Sequence, residues 1–337
     1  MTKERISNRG AELFGNRRAV PGTVLLSFKL SVGKVGIADV PLYTNEAIAA
    51  LPILDPSVLF SDYLARYLEY VDLLPNADRA AMGNTLNLRK LRSIEIPVPP
   101  LPEQRRIASI LDQADNLRAK RKDALAALEQ LGDSLFDDLV DDKARASAVA
   151  LSSITSRITD GTHQAPKWSN EGVPFLFVSN MVTGRIDYET ERFVSEATYR
   201  ELTKSAPIEV GDILYTAVGS YGIPVVVETP KQFIFQRHLA HIKPINALVD
   251  SLYLRATLRS DFVARQADRV ARGVAQKTVT LGELAKFRIP LIALASQLCF
   301  AERTREMEGQ RTKMVAHLEK LDELFASLQH RAFRGEL

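Results

Sequence analysis

The sequence predicts an α+β protein in which two repeated, mixed α/β domains are each followed by a long helix. Three observations predict this fold class: an internal repeat with a constant offset, short strand-like runs bounded by turn residues, and two long helical stretches with an apolar seam. Of the 337 residues, 46% are hydrophobic and 25% are charged, which is typical of a folded protein. This length is enough for two domains with separate cores.

The repeat is clearest in two similar segments that precede the helical stretches. Leu91–Gln104 (LRSIEIPVPPLPEQ) matches Leu284–Gln297 (LAKFRIPLIALASQ) without a gap. Farther upstream, the predicted turn that contains Gly33 resembles the predicted turn that contains Gly219. The repeating unit is too long for a solenoid, so the sequence indicates a duplicated domain with a duplicated helix.

The two copies differ in length at their starts. The second copy begins near Leu151 and has a long segment before its Ser195–Tyr199 stretch, whereas the first copy reaches the corresponding Ile6–Gly10 almost at once. We therefore expect the first domain to be N-terminally incomplete, or the true start of the protein to lie upstream of Met1.

Within the second copy, short apolar runs between turn-forming residues predict strands. A change to a four-residue period then predicts an amphipathic helix. The predicted strands are Pro174–Val178, Asp212–Thr216, Ile223–Val227 and Phe233–Ile242, and the predicted helix is Asp250–Asp268.

The two long stretches after the domains lack proline and repeat apolar residues about every 3.5 positions, which favours a coiled coil. We expect the helices to pack against each other in antiparallel orientation, with Arg118, Arg121 and Arg311 at seam positions. The alternative is that each helix lies on its own domain. The predicted bounds are 1–102 for the first domain, 103–140 for the central helix, 141–150 for a linker, 151–295 for the second domain and 296–337 for the C-terminal helix.

Composition limits the possible chemistry of the chain. Cys299 is the only cysteine, which excludes an intramolecular disulfide and a cysteine-based metal site. No apolar run approaches about 18 residues, so we expect no membrane span and a cytoplasmic protein. The sequence contains no phosphate-binding loop, nucleophile elbow or metal-binding helix motif, so we predict a protein that is not itself an enzyme.

Four segments carry a resemblance to a known family. They are Gly22–Asp39 (GTVLLSFKLSVGKVGIAD), Ile96–Asp112 (IPVPPLPEQRRIASILD), Thr159–Trp168 (TDGTHQAPKW) and Leu321–Leu337 (LDELFASLQHRAFRGEL). In this combination, and in its layout of two globular units that each precede a long helix, the chain resembles the specificity subunits of type I restriction-modification systems.

The resemblance implies that each globular unit is a target recognition domain that reads one half of a split double-stranded DNA site. It also implies that the long helices form a spacer that docks methyltransferase subunits, through which motor-nuclease (restriction) subunits join. S-adenosylmethionine, ATP and Mg²⁺ would then be used by the partner subunits, and the chain would hold no cofactor or metal of its own. The segment without a counterpart in copy one includes the equivalent of Thr159–Trp168, which leaves the first half-site in question.

Candidate DNA-contacting residues fall into two groups. Arg265, Arg269 and Arg272 have helical spacing and suit phosphate contacts, although a solvated basic helix face has the same pattern. Polar residues in predicted loops suit base contacts, although each is individually more typical of a turn or cap. These are Lys34, Asn45, Asn84 and Asn87 in copy one, and Thr162, His163, Gln164, Lys167, Asn180, Tyr221, Arg237, Gln276 and Lys277 in copy two.

Two other functions remain open at this point. The chain could be a truncated or reservoir specificity protein that reads a single half-site. It could instead be a coiled-coil protein adaptor without DNA binding.

Overall fold

The structure, a computed structural model, describes residues 5–14, 17–73, 78–80, 83–273 and 276–337. The chain divides into two compact units. Unit 1 comprises Met1–Leu125 with Lys313–Leu337, and unit 2 comprises Ala126–Thr312. Each long helix therefore contributes one part of its length to each unit. Among the described residues, no helix has both the length and the apolar character needed to cross a membrane.

Unit 1 consists of a globular part, which we call its lobe, and parts of the long helices. The elements are α1 (Asn8–Phe14), β1 (Val24–Ser27), β2 (Lys29–Leu30), β3 (Val35–Ile37), β4 (Ile48–Leu51), α2 (Ser61–Tyr70), β5 (Asp78–Ala80), β6 (Gly83–Thr85), α3 (Leu88–Arg92) and the long helix α4 (Leu101–Leu139). The lobe is built on a small antiparallel sheet of order β3-β1-β4 covered by α2, and a second small sheet has the order β2-β6-β5. Val24 and Leu26 of β1 pack against Leu64 and Leu68 of α2 to form the core of this lobe.

Unit 2 consists of a second lobe and the other parts of the long helices. The elements are α5 (Asp142–Ala146), β7 (Val149–Ala150), β8 (Thr155–Asp160), β9 (Trp168–Ser169), β10 (Val173–Leu176), β11 (Phe193–Val194), α6 (Glu196–Thr203), β12 (Ile213–Thr216), β13 (Pro224–Val226), β14 (Ile234–Phe235), β15 (Leu239–Pro244), α7 (Ser251–Arg259), α8 (Asp261–Val270), α9 (Leu281–Leu284), β16 (Arg288–Ile289) and the long helix α10 (Leu294–Phe333). The strands form two four-stranded sheets, of order β13-β12-β15-β8 and β14-β10-β11-β9, and a two-stranded sheet β16-β7. Residues 141–150, which the sequence assigned to a linker, contain the short helix α5 and strand β7.

The long helices pack in antiparallel orientation within unit 1. Leu111, near the start of α4, belongs to the same buried cluster as Phe325, near the end of α10. Arg118 Nε donates to Asp322 Oδ1 at 2.6 Å, and the Arg118 guanidinium lies 4.4 Å from the Phe325 ring centroid. This arginine thus stands in the seam, as its spacing predicts, and is neutralised there.

The same orientation holds within unit 2, where the other parts of the two helices meet. Phe136 of α4 contacts Phe300 of α10 with ring centroids 6.0 Å apart. Earlier in α4, Glu129 lies 3.5 Å from Arg311, which comes later in α10. The predicted antiparallel packing of the helices is confirmed.

The lobes of the two units share a topology. Sheet β3-β1-β4 of unit 1 corresponds strand for strand to β13-β12-β15 of unit 2, and helix α2 follows as α7 does. The turn glycines Gly33 and Gly222 both adopt positive φ, and their amides donate to Ser27 and Thr216, the last residues of β1 and β12. Gly33 therefore corresponds to Gly222, and the sequence match of Gly33 with Gly219 is wrong.

A buried glutamine joins the lobe of unit 1 to its long helix. Gln104, in the first turn of α4, is 0% exposed. Its Oε1 accepts from the Phe60 amide at 2.8 Å, and its Nε2 donates to the carbonyls of Val58 and Pro99, both at 2.8 Å. Because residues 58–60 lead directly into α2, this one side chain links α2, the proline-rich lead-in and α4.

Gln297 repeats the arrangement in unit 2. It lies in the first turn of α10, is also 0% exposed, and accepts from the Asp250 amide at 2.9 Å. Its Nε2 donates to the carbonyls of Leu248 at 3.3 Å and Ile292 at 2.8 Å. The two glutamines, matched by the sequence repeat, therefore make equivalent hydrogen bonds.

Two predicted elements of unit 2 are interrupted. The predicted helix Asp250–Asp268 breaks at Ser260, whose φ of −61° and ψ of 153° are extended, so α7 and α8 are separate helices. The predicted strand Phe233–Ile242 divides into β14 and β15 at a turn in which the Leu239 amide donates to the Gln236 carbonyl. The apolar periodicity of the sequence continues across both breaks and therefore did not predict them.

A buried charged cluster lies on one face of the β12–β15 pair. Asp212 and His241 are 4% and 1% exposed, and Asp212 Oδ2 lies 2.7 Å from His241 Nε2 and accepts from Lys243 Nζ at 2.8 Å. Burial by itself would raise the pKa of Asp212. Hydrogen bonds from His241, Lys243 and the Glu209 amide outweigh burial and lower that pKa.

We expect Gln104→Leu and Gln297→Leu to lower the stability of their own units by similar amounts, about 3 kcal/mol each. Each change removes a buried carboxamide and leaves one amide and two carbonyls without their partner. Urea unfolding, monitored by hydrogen exchange in each unit, measures the loss of stability. Gln113→Leu is the matched control, because Gln113 is an exposed residue of α4, the helix that contains Gln104. Equal losses in all three variants would contradict the role assigned to the buried pair.

We expect Asp212→Asn to destabilise unit 2 by about 3 kcal/mol at neutral pH, because it breaks a buried charged cluster. The pKa of Asp212 is lowered on folding. Its ionised form therefore stabilises the fold above the unfolded-state pKa, and this contribution is lost as pH falls through the folded-state pKa. The difference between native protein and variant should shrink as the pH of urea titrations drops below about 4. Asp142→Asn, at a fully exposed carboxylate, should show no such difference in stability from the native protein.

Candidate nucleic-acid interface

Four loops of unit 2 meet at one end of the β13-β12-β15-β8 sheet. We call this surface the loop edge; it comprises residues 161–163, 217–222, 236–238, 272–273 and 276–279. The loops come together because strands β8 and β12 end where strands β15 and β13 begin: Asp160 pairs with Ala240, and Thr216 with Leu239. Antiparallel pairing therefore gathers segments that are far apart in the sequence.

Backbone hydrogen bonds fix these loops to one another. The Thr162 amide donates to the Phe235 carbonyl, and the Arg237 amide donates to the Thr162 carbonyl, both at 3.1 Å. The Gly219 amide donates to the Lys277 carbonyl at 3.0 Å, and residues 217 and 279 are joined in the same way. The loop edge is therefore a continuous, hydrogen-bonded surface.

Gly161 is required for this close approach. A Cβ atom at this position would collide with the backbone carbonyl oxygens of Phe235 and Gln236. Only glycine lets the end of β8 lie this close to the turn that carries Arg237.

The loop edge presents exposed cationic and amide side chains. Arg237, Arg272, Gln276 and Lys277 are all exposed. His163 is also exposed, and its Nε2 lies 2.9 Å from the Asp160 carboxylate. The hydroxyl of Thr162, in contrast, is buried, so this residue positions the loop through its backbone. The edge therefore offers mainly hydrogen-bond donors and positive charge.

Helix α8 borders the loop edge and extends its positive charge. Arg265 and Arg269 are exposed on this helix. Tyr221 of the loop edge donates from its hydroxyl to Asp268 Oδ1 of α8 at 2.7 Å, which raises the pKa of Tyr221. This hydrogen bond ties the arginine-bearing helix to the 217–222 turn.

The predicted arginine stripe is only partly correct. Helix α8 ends at Val270, so Arg272 lies beyond it and pairs with Thr278 in an isolated antiparallel bridge. Arg272 is brought to the loop edge by this bridge rather than by helical spacing.

Three other predicted contact residues of unit 2 lie outside the loop edge. Gln164 and Lys167 are exposed in the segment that connects β8 to β9. Asn180 is buried, accepts from the Phe177 amide at 2.9 Å and donates to the Glu189 carbonyl at 2.9 Å. The prediction that Asn180 reads bases is therefore wrong, because both ends of its amide are occupied in holding a turn.

In unit 1 the predicted residues occupy turns and a helix cap. Lys34 is exposed in the turn before β3. Asn45 accepts from the Ala47 amide, and Asn87 caps α3 by accepting from the Lys90 amide, both at 3.0 Å. The side chain of Asn84 lies outside the described residues.

The sequence did not predict an aromatic–cation pair at the β14-β10-β11-β9 sheet of unit 2. Trp168 is 41% exposed, makes a T-shaped contact with Phe175, and has the Arg192 guanidinium 5.3 Å from its ring centroid. No sequence signal could identify Arg192, because the pairing of β9 with β11 creates this contact.

A family model agrees with the fold. The model of the type I restriction modification DNA specificity domain matches residues 4–130 of the chain. The EcoBI specificity subunit of Escherichia coli is 23% identical over 296 residues, which cover 75% of the chain and 60% of that protein. The MjaIX specificity subunit of Methanocaldococcus jannaschii is 24% identical over 245 residues, which cover 66% of the chain and 56% of that protein.

The chain is thus similar in sequence to type I specificity subunits, and the family model matches its residues 4–130. It spans about 60% or less of the length of these two relatives. A solved structure with a similar fold is the S subunit of the type I restriction-modification system from M. genitalium, with a TM-score of 0.58 and 16% identity over 94% of this chain and 83% of that one. That likeness shows a shared fold.

Proposed function

We propose that the chain is a DNA-specificity subunit in which unit 2 reads one half of a bipartite site through its loop edge. The observation that carries this proposal is the convergence of four loops, rich in exposed donors, beside an arginine-bearing helix. The similarity of residues 4–130 to the type I restriction modification DNA specificity domain supports DNA as the ligand.

Phosphate contacts are assigned to Arg265, Arg269 and Arg272. All three are exposed, and their guanidinium groups form no ion pair with the residues that the structure describes. An exposed guanidinium without an ion-pair partner can approach a phosphate without first breaking another charge pair. These contacts would position the duplex without selecting its sequence.

Base contacts are assigned to the polar side chains of the loop edge and its neighbouring segment. Arg and Lys suit guanine O6 and N7, and Gln suits adenine N6 and N7 in the major groove. The proposed residues are His163, Gln164, Lys167, Tyr221, Arg237, Gln276 and Lys277 in unit 2, with Lys34, Asn45, Asn84 and Asn87 as the candidates of unit 1.

Partner docking is assigned to the long helices. Leu131 of α4 and Leu324 of α10, which are equivalent in the sequence repeat, are 51% and 48% exposed. Exposed leucines at equivalent positions of the two helices offer equivalent apolar contacts to a partner. Two equivalent sites suit two copies of one partner, and the family resemblance points to methyltransferase subunits, with restriction subunits joining through them. In this assembly the chain recognises DNA and the partners carry out catalysis.

A second candidate is a protein that reads a single half-site through unit 2. It is favoured by one observation: the described residues of unit 1 include no counterpart of strands β8–β11, and hence none of the loop that holds Thr162 and His163.

We expect Arg269→Ala to weaken binding to all DNA sequences alike and to lower the slope of log affinity against log salt by about 1. Gln276→Ala and Lys167→Ala should instead change sequence preference, by about 1–3 kcal/mol at one base pair. Binding to a randomised duplex library, with methyltransferase present, measures both effects. Arg200→Ala, at an exposed arginine of α6, is the control and should change neither. Uniform loss in all three test variants would remove the base-reading assignments.

Deletion of two heptads from each long helix should shorten the preferred spacing between half-sites. Fourteen residues correspond to about 21 Å of helix. A methylation or footprinting assay across spacer lengths measures the change. An unchanged optimum would reject the spacer role, and a footprint confined to one half-site would favour the second candidate.

A further inference from the structure

We propose that a second site for the DNA sugar-phosphate backbone lies in a groove between α8 and α9, on the far side of α8 from the loop edge. The inference rests on the proposed function and extends it, because it assigns phosphate contacts to Lys286 and Arg288. We call this site the α8–α9 groove. Its polar lining is Gln266, Arg269, Glu283 and Lys286, and its apolar lining is Val270 and Phe287.

Helix α8 separates this groove from the loop edge. Asp268 of α8 accepts from the hydroxyl of Tyr221 in the loop edge, whereas Gln266 of α8 is bonded to Arg288. Positions 266 and 268 differ by about 200° around a helix, so they lie on opposite flanks of α8. Arg269 is exposed and lines the groove. Positive charge therefore continues from the loop edge across α8 to the groove.

A side-chain amide fixes the backbone of Arg288 against α8. Gln266 Oε1 accepts from the Arg288 amide at 2.7 Å, and Gln266 Nε2 donates to the Arg288 carbonyl at 3.0 Å. Arg288 also lies opposite Ala150 in the pairing of β16 with β7. It is exposed, and among the residues that the structure describes its guanidinium has no ion-pair partner. Arg288 therefore combines a fixed backbone beside the groove with a cation that is available to a phosphate.

One carboxylate of the groove opposes this positive charge. Glu283 Oε1 accepts from Lys286 Nζ at 3.1 Å, and the side chains of the pair are 35% and 72% exposed. An ion pair with this exposure contributes little to stability. Lys286 can therefore exchange this contact for a phosphate, and loss of the Glu283 charge should favour DNA.

The sequence repeat indicates that the fold does not need these cations. In the ungapped match of the two copies, Ser93 stands at the position of Lys286, and Glu95 stands at the position of Arg288. All four residues are exposed. The described residues between α2 and α3 of unit 1 form strands β5 and β6 and include no counterpart of α8. The two cations thus occur in the copy that has the groove, which favours a role in binding over a role in folding.

The test measures binding of the full chain, with methyltransferase present, to the randomised duplex library across salt concentrations. We expect the slope of log affinity against log salt to fall by about 1 in Lys286→Ser and by about 1–2 in Arg288→Glu, with sequence preference unchanged. Both changes take the residue of the first copy, so the midpoint of urea unfolding should stay the same. Arg200→Glu, at an exposed arginine of α6, is the matched control.

Glu283→Gln should have the opposite effect. It removes the negative charge of the groove and keeps the shape of the side chain, so affinity at low salt should rise about threefold. The matched control is Glu201→Gln, at an exposed glutamate of α6, which should leave affinity unchanged. A role of Glu283 confined to folding would not raise affinity for DNA.

Slopes that stay unchanged in both Lys286→Ser and Arg288→Glu overturn the groove assignment, as does an affinity that does not rise in Glu283→Gln. A lower urea midpoint in the first two variants also overturns it, because the cations would then serve the fold. If Arg269→Ala still lowers the slope in these cases, the proposed function stands without the groove. If the unchanged protein shows no salt-dependent binding, the proposed function fails and the groove assignment fails with it.

Discussion

The amide of a single buried glutamine orients each lobe on its helix. Gln104 and Gln297 occupy the first turns of α4 and α10, and each bonds to the residues that lead into the lobe helix and to the preceding lead-in segment. A buried carboxamide has strict geometric requirements, and leaving it unpaired is costly. These hydrogen bonds therefore select one orientation of lobe and helix within each unit. The tyrosines Tyr63 and Tyr253 strengthen the junction by donating to the carbonyls of Pro97 and Pro290.

The two lobes join their long helices through equivalent contacts, but their sheets differ. The three-stranded cores of the two lobes match, yet unit 2 also contains β8 and the four-stranded sheet β14-β10-β11-β9. The addition changes the environment of equivalent residues: Ile242 is fully buried, whereas Leu51 is partly exposed. It also supplies one of the four loops of the loop edge. A duplicated scaffold thus carries a larger polar surface in one lobe than the described residues of the other lobe provide.

The loop edge combines rigidity with chemical variability. Its position is set by main-chain hydrogen bonds, such as that from the Arg237 amide to the Thr162 carbonyl, and by Gly161, where a side chain would not fit. Its exposed side chains, such as Gln276, take no part in those bonds through their functional groups. Side chains on such a frame can change without loss of the fold, which is the property that a sequence-reading surface needs.

The sequence alone determined the repeat, the two long helices and the correspondence of Gln104 with Gln297, because apolar periodicity and spacing are local properties that survive divergence. It also placed cations in the loops of unit 2. Only the tertiary structure decided which of them meet: Arg272 reaches the loop edge through a bridge to Thr278, and Asn180 is withdrawn into a buried turn. The positions of Arg272 and Asn180 depend on contacts between segments that are distant in the sequence, so no local pattern predicted them. The helix break at Ser260 leaves the apolar period intact, so periodicity did not predict it either.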